Sequence, residues 1–166
     1  MQYDSSNDSE IDKIPLTVEL DFEEASKLLK IQDFRVCSLT TKIDDVRLWA
    51  YYADSCQGIA IEVEIPESEK LLHKVSYSND VPSIGLRSVK NQNSLFATKS
   101  QEWSFESEYR IVQKNIYYEL KNMNIKVYLG PNITQENKNS LYHEIPTSVE
   151  IIEMTLDRRN RKIIKK

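Results

Sequence analysis

Between Asp44 and Ile65 the sequence changes its hydrophobic period, and that change constrains the fold more than any other feature. Val46, Trp49, Ala50 and Ala53 recur at helical spacing behind Asp44 and Asp45, two acidic residues suited to a helix start. After Gly58 the pattern becomes alternation, Gly58-Ile-Ala-Ile-Glu-Val-Glu-Ile65. The spacing predicts a helix over 44–54, ended by Gly58, and then a strand. In that strand Ile59, Ile61, Val63 and Ile65 would point inward, with Glu62 and Glu64 toward water.

Other elements follow from the same signals. Pro15 near the start of Ile14–Leu20 marks a short edge strand. Asp21 reads as the N-cap of a helix over 22–31 with Phe22, Ala25, Leu28 and Leu29 on its apolar face. Strands are predicted at 34–39, 74–78, 105–114 and 125–129, the last stopping at the Gly130-Pro131 turn. Pro66 starts a short helix through Leu72, and Thr134 caps one through His143. Segments 149–156 and 162–165 form a hairpin about Asp157–Asn160, and 79–93 reads as a loop. Few strands are joined by a helix of crossover length. The fold class is therefore α+β, one domain over 14–166 with a mixed or largely antiparallel sheet and several short helices. A flexible acidic arm, 1–13, precedes it.

The chain's 166 residues suffice for one domain with a real core, and 40% hydrophobic against 29% charged residues fits a globular protein. A net charge of −4 argues against a general nucleic-acid binder. The basic end (Arg158, Arg159, Arg161, Lys162, Lys165, Lys166) is the one stretch suited to phosphate, and it reads first as a solvated tail or edge strand. No apolar run approaches the roughly 18 residues of a membrane span, and the start lacks the pattern of a signal peptide. Cys37 and Cys56 match no metal or redox spacing, so both are expected as reduced thiols in a cytoplasmic protein, a disulfide between them requiring a fold that brings their Cα atoms within about 7 Å.

Three glycines (Gly58, Gly85, Gly130) cannot build a phosphate-cradling loop or a dinucleotide fingerprint. There is no paired-histidine zinc motif; His73 and His143, each after a short helical stretch, read as surface or helix-end residues. The chemistry concentrates in Lys99-Ser-Gln-Glu-Trp103-Ser-Phe-Glu106-Ser-Glu108-Tyr-Arg110. If 105–114 is one strand, Glu106, Glu108 and Arg110 share a face about 7 Å apart. That row is either a solvated ion ladder or a ligand site with Lys99 and Trp103 at its edge. Trp49 and Tyr52, three apart on the helix 44–54, would join it if helix and strand pack together. Rings to stack on, cations for phosphate and carboxylates for ribose hydroxyls suit a nucleotide. The expectation is that Arg110 or Lys99 pairs with one glutamate and leaves the other, Glu108, free to act.

The same residues carry a resemblance. Leu48-Trp49-Ala-Tyr-Tyr52-Ala53-Asp54 with Gly58-Ile-Ala-Ile resembles the first block of a bacterial family known as domain of unknown function 2971. Its second block, a Lys, a Trp and then E-x-E-x-R, is matched by Lys99, Trp103, Glu106, Glu108 and Arg110, and its closing block by Val127-Tyr-Leu-Gly130-Pro131. The tyrosine-rich strand and Asn-Asp-Pro-x-Glu segment that usually precede the first block have no counterpart here, which implies a shortened member. A more distant likeness is to ADP-ribosyltransferases, in which a late E-x-E holds and activates NAD. It would give Glu106-Ser-Glu108 that role, with Glu108 orienting the ribose, although the early Arg or His that grips NAD has no clear match.

Two functions follow. One is a nucleotide-binding domain, ADP-ribosyltransferase-like in its catalytic form and tied to bacterial conflict or defence. Its catalytic residues would be Glu108, Glu106 and Arg110, its ligand contacts Trp49, Tyr52, Lys99 and Trp103, and its cofactor NAD or another nucleotide. The other is a non-catalytic interaction module in which the charged row is a structural ion network.

Overall fold

The computed structural model describes Lys27, Lys30 and residues 33–80, 96–120 and 124–166. The predicted arm at 1–13, the edge strand at 14–20, most of the helix 22–31 and most of the loop 79–93 lie outside the described residues. Three sheets form. In the first, β6 (Glu108–Gln113) lies between β1 (Arg35–Thr40) and β3 (Leu72–Lys74), antiparallel to both. In the second the order is β2 (Ile59–Val63), β7 (Ile125–Leu129), β8 (Glu150–Asp157) and β9 (Lys162–Lys165). It is mixed, because β7 and β8 run parallel and the other neighbours antiparallel. A short parallel pair, β4 (Ser76–Ser78) with β5 (Thr98–Ser100), makes the third. With α1 (Val46–Tyr52), a 3-10 helix (Gln101–Glu106) and α2 (Gln135–Glu144), this is the expected α+β fold. Among the described residues no helix is long and apolar enough to cross a membrane.

Helix α1 forms where the period predicted it. Asp45 caps it, its side chain accepting from Arg47 N–H, and Leu48 and Trp49 are its buried residues. Its buried face meets the second sheet in a core of Trp49, Ala53, Cys56, Tyr128, Met154 and Ile163. The hairpin of β8 and β9 is pinned to the start of this helix, since Lys162 pairs with Asp44 and Ile163 N–H donates to Asp44 O. The helix ends at Tyr52 rather than at Gly58. Asp54, Ser55 and Cys56 are all left-handed, and Gly58, whose own φ is negative, opens the strand. Of the described glycines, Gly130 is the one whose lack of a Cβ matters most. A Cβ there would lie 2.3 Å from Cys56 O and 2.8 Å from Gly58 O, because the two segments cross at backbone contact.

Two expectations are corrected. Residues 66–71 form successive turns and no helix. The Glu69 carboxylate accepts from Leu71 N–H at 2.9 Å and competes with the helical backbone bond. In β2, Ala60 packs against the Trp49 cluster in a row with Tyr128 and Ile152, while Ile59 and Val63 on the predicted face are half-buried. Ile61 is left 58% exposed, and Glu62 accepts from the Tyr128 hydroxyl and the Lys126 ammonium. The alternation was right. Both faces of this sheet are covered, since Leu129 and Val127, opposite Ile59 and Ile61, are buried just as Tyr128 is, and Glu64 is exposed as expected.

Candidate ligand-binding cleft

The predicted strand at 105–114 divides into two pieces, and the division builds the site. Residues 101–106 wind into the 3-10 helix, Ser107 takes a left-handed conformation (φ 47°), and β6 begins at Glu108. Two carboxylates on successive same-face strand positions would stand about 7 Å apart. The left-handed residue between them instead lets one cation reach both. Lys99 Nζ pairs with Glu106 Oε2 and lies 3.2 Å from Glu108 Oε2. Lys99 comes from β5, directly opposite Tyr77 of β4, and the Tyr77 hydroxyl accepts from Glu108 N–H at 2.8 Å.

Each glutamate has a further partner. Arg110 grips Glu108 with two guanidinium N–H groups, Nε at 2.8 Å and Nη2 at 3.1 Å, while its Nη1 donates to Phe96 O at 2.6 Å. The Tyr52 hydroxyl donates to Glu106 Oε1 at 2.6 Å, and the Thr40 hydroxyl donates to Glu106 O. Glu106 and Glu108 are both only 4% exposed, so the solvated ladder expected of a strand face does not form. Burial alone would push the Glu108 carboxyl up. Hydrogen bonds from Arg110, Ser38 and Lys99 overcome it and hold the group at about 2. Burial likewise opposes the charge on Lys99, and the two carboxylates more than compensate, leaving its pKa raised. The bond to Glu106 raises the Tyr52 phenol as well.

These groups line one end of a cavity of about 360 Å³, within the range of small-molecule sites. Ser38 and Thr40 on β1 face it beside Arg110 and Glu108, which lie opposite them in the β1–β6 register. The other walls are mainly apolar (Leu39, Ile43, Leu48, Trp49, Ile59 and Ala60), with Lys42 among them. Trp49 is buried, and its indole N–H donates to Ile43 O at 2.7 Å, so it acts as wall and anchor.

Of the residues singled out in the sequence, Trp49, Tyr52, Lys99, Glu106, Glu108 and Arg110 meet in this cavity. Trp103 does not line it. Its ring lies 5.0 Å below the Lys99 ammonium and packs on Tyr51 and Phe105 outside the cleft. Glu108 is not the free carboxylate expected; it is the more tightly held of the two, because Arg110 and Lys99 both converge on it. Sequence reasoning missed Ser38, Thr40 and Tyr77, ordinary strand residues that only the register brings to the site. It also misplaced His73, which lies on β3 opposite Arg110 rather than after a helix. Among the described residues no cluster of His, Cys, Asp and Glu could hold a metal ion. Cys37 and Cys56 are both free thiols. No family model, curated protein or solved structure matches this chain.

Proposed function

We propose that this chain is a small-molecule-binding domain whose cleft takes a nucleotide-type ligand. The supporting observation is the convergence of Tyr52, Lys99, Glu106, Glu108 and Arg110 at the polar end of an otherwise mainly apolar cavity. Apolar walls fit a flat ring, and buried acceptors fit the hydroxyls of a ribose. Membership of the family known as domain of unknown function 2971 is part of this reading and rests on the three sequence blocks. ADP-ribosyl transfer from NAD is its catalytic form. In that form Glu106 is the better ribose contact, since Glu108 is occupied by the Arg110 fork. A nucleotide panel including NAD at millimolar concentration tests the proposal. A rise in melting temperature with at least one member, weakened by Glu106→Gln, supports it, and no shift with any member overturns it.

One observation favours a second reading. Both cations of the cleft's polar end already hold carboxylates, an arrangement that suits a network joining β5, the 3-10 helix and β6. On this reading the chain is a non-catalytic module. Arg110→Ala would then lower stability while the nucleotide panel stays silent.

A further inference from the structure

The charges of the cleft's polar end balance within it. Glu106 and Glu108 carry two negative charges, and Lys99 and Arg110, held on them by the ion pairs described, carry two positive charges. An anion entering here meets cations whose charge is already balanced, and it must approach two buried carboxylates. The open hydrogen-bonding capacity has the opposite sense. A carboxylate oxygen accepts about two hydrogen bonds. Glu106 Oε1 receives one from Tyr52 and Oε2 one from Lys99, so each keeps an acceptor position. Glu108 is nearer saturation, with Arg110 on both oxygens and Lys99 and Ser38 adding to them. Lys42 is the one lining cation without an ion pair among the described residues, and it is exposed.

We infer that the cleft's polar end recognises hydrogen-bond donors and rejects anions, so that it takes the nucleoside part of a ligand and keeps any phosphate outside, toward Lys42. The inference rests on the nucleotide-type reading given above and narrows it. Glu106 is the recognising group and accepts from ribose hydroxyls; Glu108 and Arg110 are positioning residues that fix Lys99. The apolar walls around Leu39, Leu48 and Trp49 receive the base.

Calorimetric titration of the wild-type chain with adenosine, 2′,3′-dideoxyadenosine, AMP and ATP tests it. Adenosine is expected to bind, and loss of the diol to weaken binding at least about tenfold, as in sites built to pair a substrate hydroxyl. AMP is expected within about threefold of adenosine, since its phosphate gains only an exposed, screened cation. Glu106→Gln removes one negative charge from the balanced set, and the AMP-to-adenosine affinity ratio should then rise about fivefold or more. The inference is overturned if AMP or ATP binds the wild type more than about tenfold tighter than adenosine, a result that leaves the nucleotide reading standing. Equal affinity for adenosine and its dideoxy analogue also overturns it. Silence from all four compounds overturns the inference, and the nucleotide reading falls with it only if the broader nucleotide panel is silent as well. The wild-type panel decides these outcomes even if the variant fails to fold.

Discussion

Replacing Arg110 by alanine removes three hydrogen bonds at once, two to Glu108 and one to Phe96 O. Glu108, 4% exposed in the intact chain, keeps Lys99 and Ser38 as partners. In the intact chain its carboxyl is held at about 2 instead of its ordinary 4.5, which corresponds to about 3 kcal/mol at neutral pH. Breaking a buried pair by deleting one partner costs about 3–5 kcal/mol in general. Because Lys99 retains part of the compensation, the expected loss for Arg110→Ala is about 2–3 kcal/mol at pH 7. The sign of the pH dependence follows from the depressed carboxyl. Its contribution is complete above about 4.5 and vanishes as pH falls through about 2. In the variant, burial without the guanidinium raises the carboxyl, which protonates earlier and escapes the penalty. The gap between wild type and variant should therefore be widest near neutrality and close as pH falls from about 5 toward 2. Urea unfolding of both proteins at several pH values measures this gap. Arg110→Lys, which keeps the charge and loses the fork, should fall between the two. A loss within about 0.5 kcal/mol at pH 7, or a gap that does not narrow in acid, would refute the reasoning.

Gly130→Ala places a Cβ 2.3 Å from Cys56 O, where backbone rather than a flexible side chain must move, and should cost about 3 kcal/mol in urea or thermal unfolding. Tyr52 is 65% exposed, so Tyr52→Phe should change stability by less than about 1 kcal/mol. The same variant should lose the high-pH tyrosine titration that Glu106 raises, read by ultraviolet absorbance. Cys37 is exposed, whereas burial both covers Cys56 and raises its thiol, so a thiol reagent should modify Cys37 first and Cys56 only on unfolding.

The sequence carried local structure more faithfully than it carried sidedness. Helix α1, α2 with its Thr134 cap and the β8–β9 hairpin were legible because period and capping are local signals. The covering of both faces of β2 was not, because alternation suggests a single inward face and only long-range packing by Trp49 and its neighbours covers the Ala60 side. The site shows the same division. The spacing of Lys99, Glu106, Glu108 and Arg110 named its charged members. The left-handed Ser107 that turns a strand row into a bridged cluster leaves no pattern in a serine. Ser38 and Thr40 reach the cleft through the β1–β6 register, a long-range pairing invisible in a local reading. Trp103 falls outside because its ring packs on Tyr51 and Phe105 beneath the Lys99 ammonium, contacts that its place in the sequence does not reveal.

The central claim is that the cavity between α1 and the β1–β6 sheet is where a ligand binds. Amide chemical shifts of isotope-labelled protein, followed while adenosine is added to saturation, test it most directly. The account predicts shifts concentrated at Ser38–Thr40, Trp49–Ala53 and Glu106–Arg110, with the hairpin at 157–162 unmoved. Saturation that leaves those three segments still, whether the shifts lie elsewhere or nowhere, would contradict it.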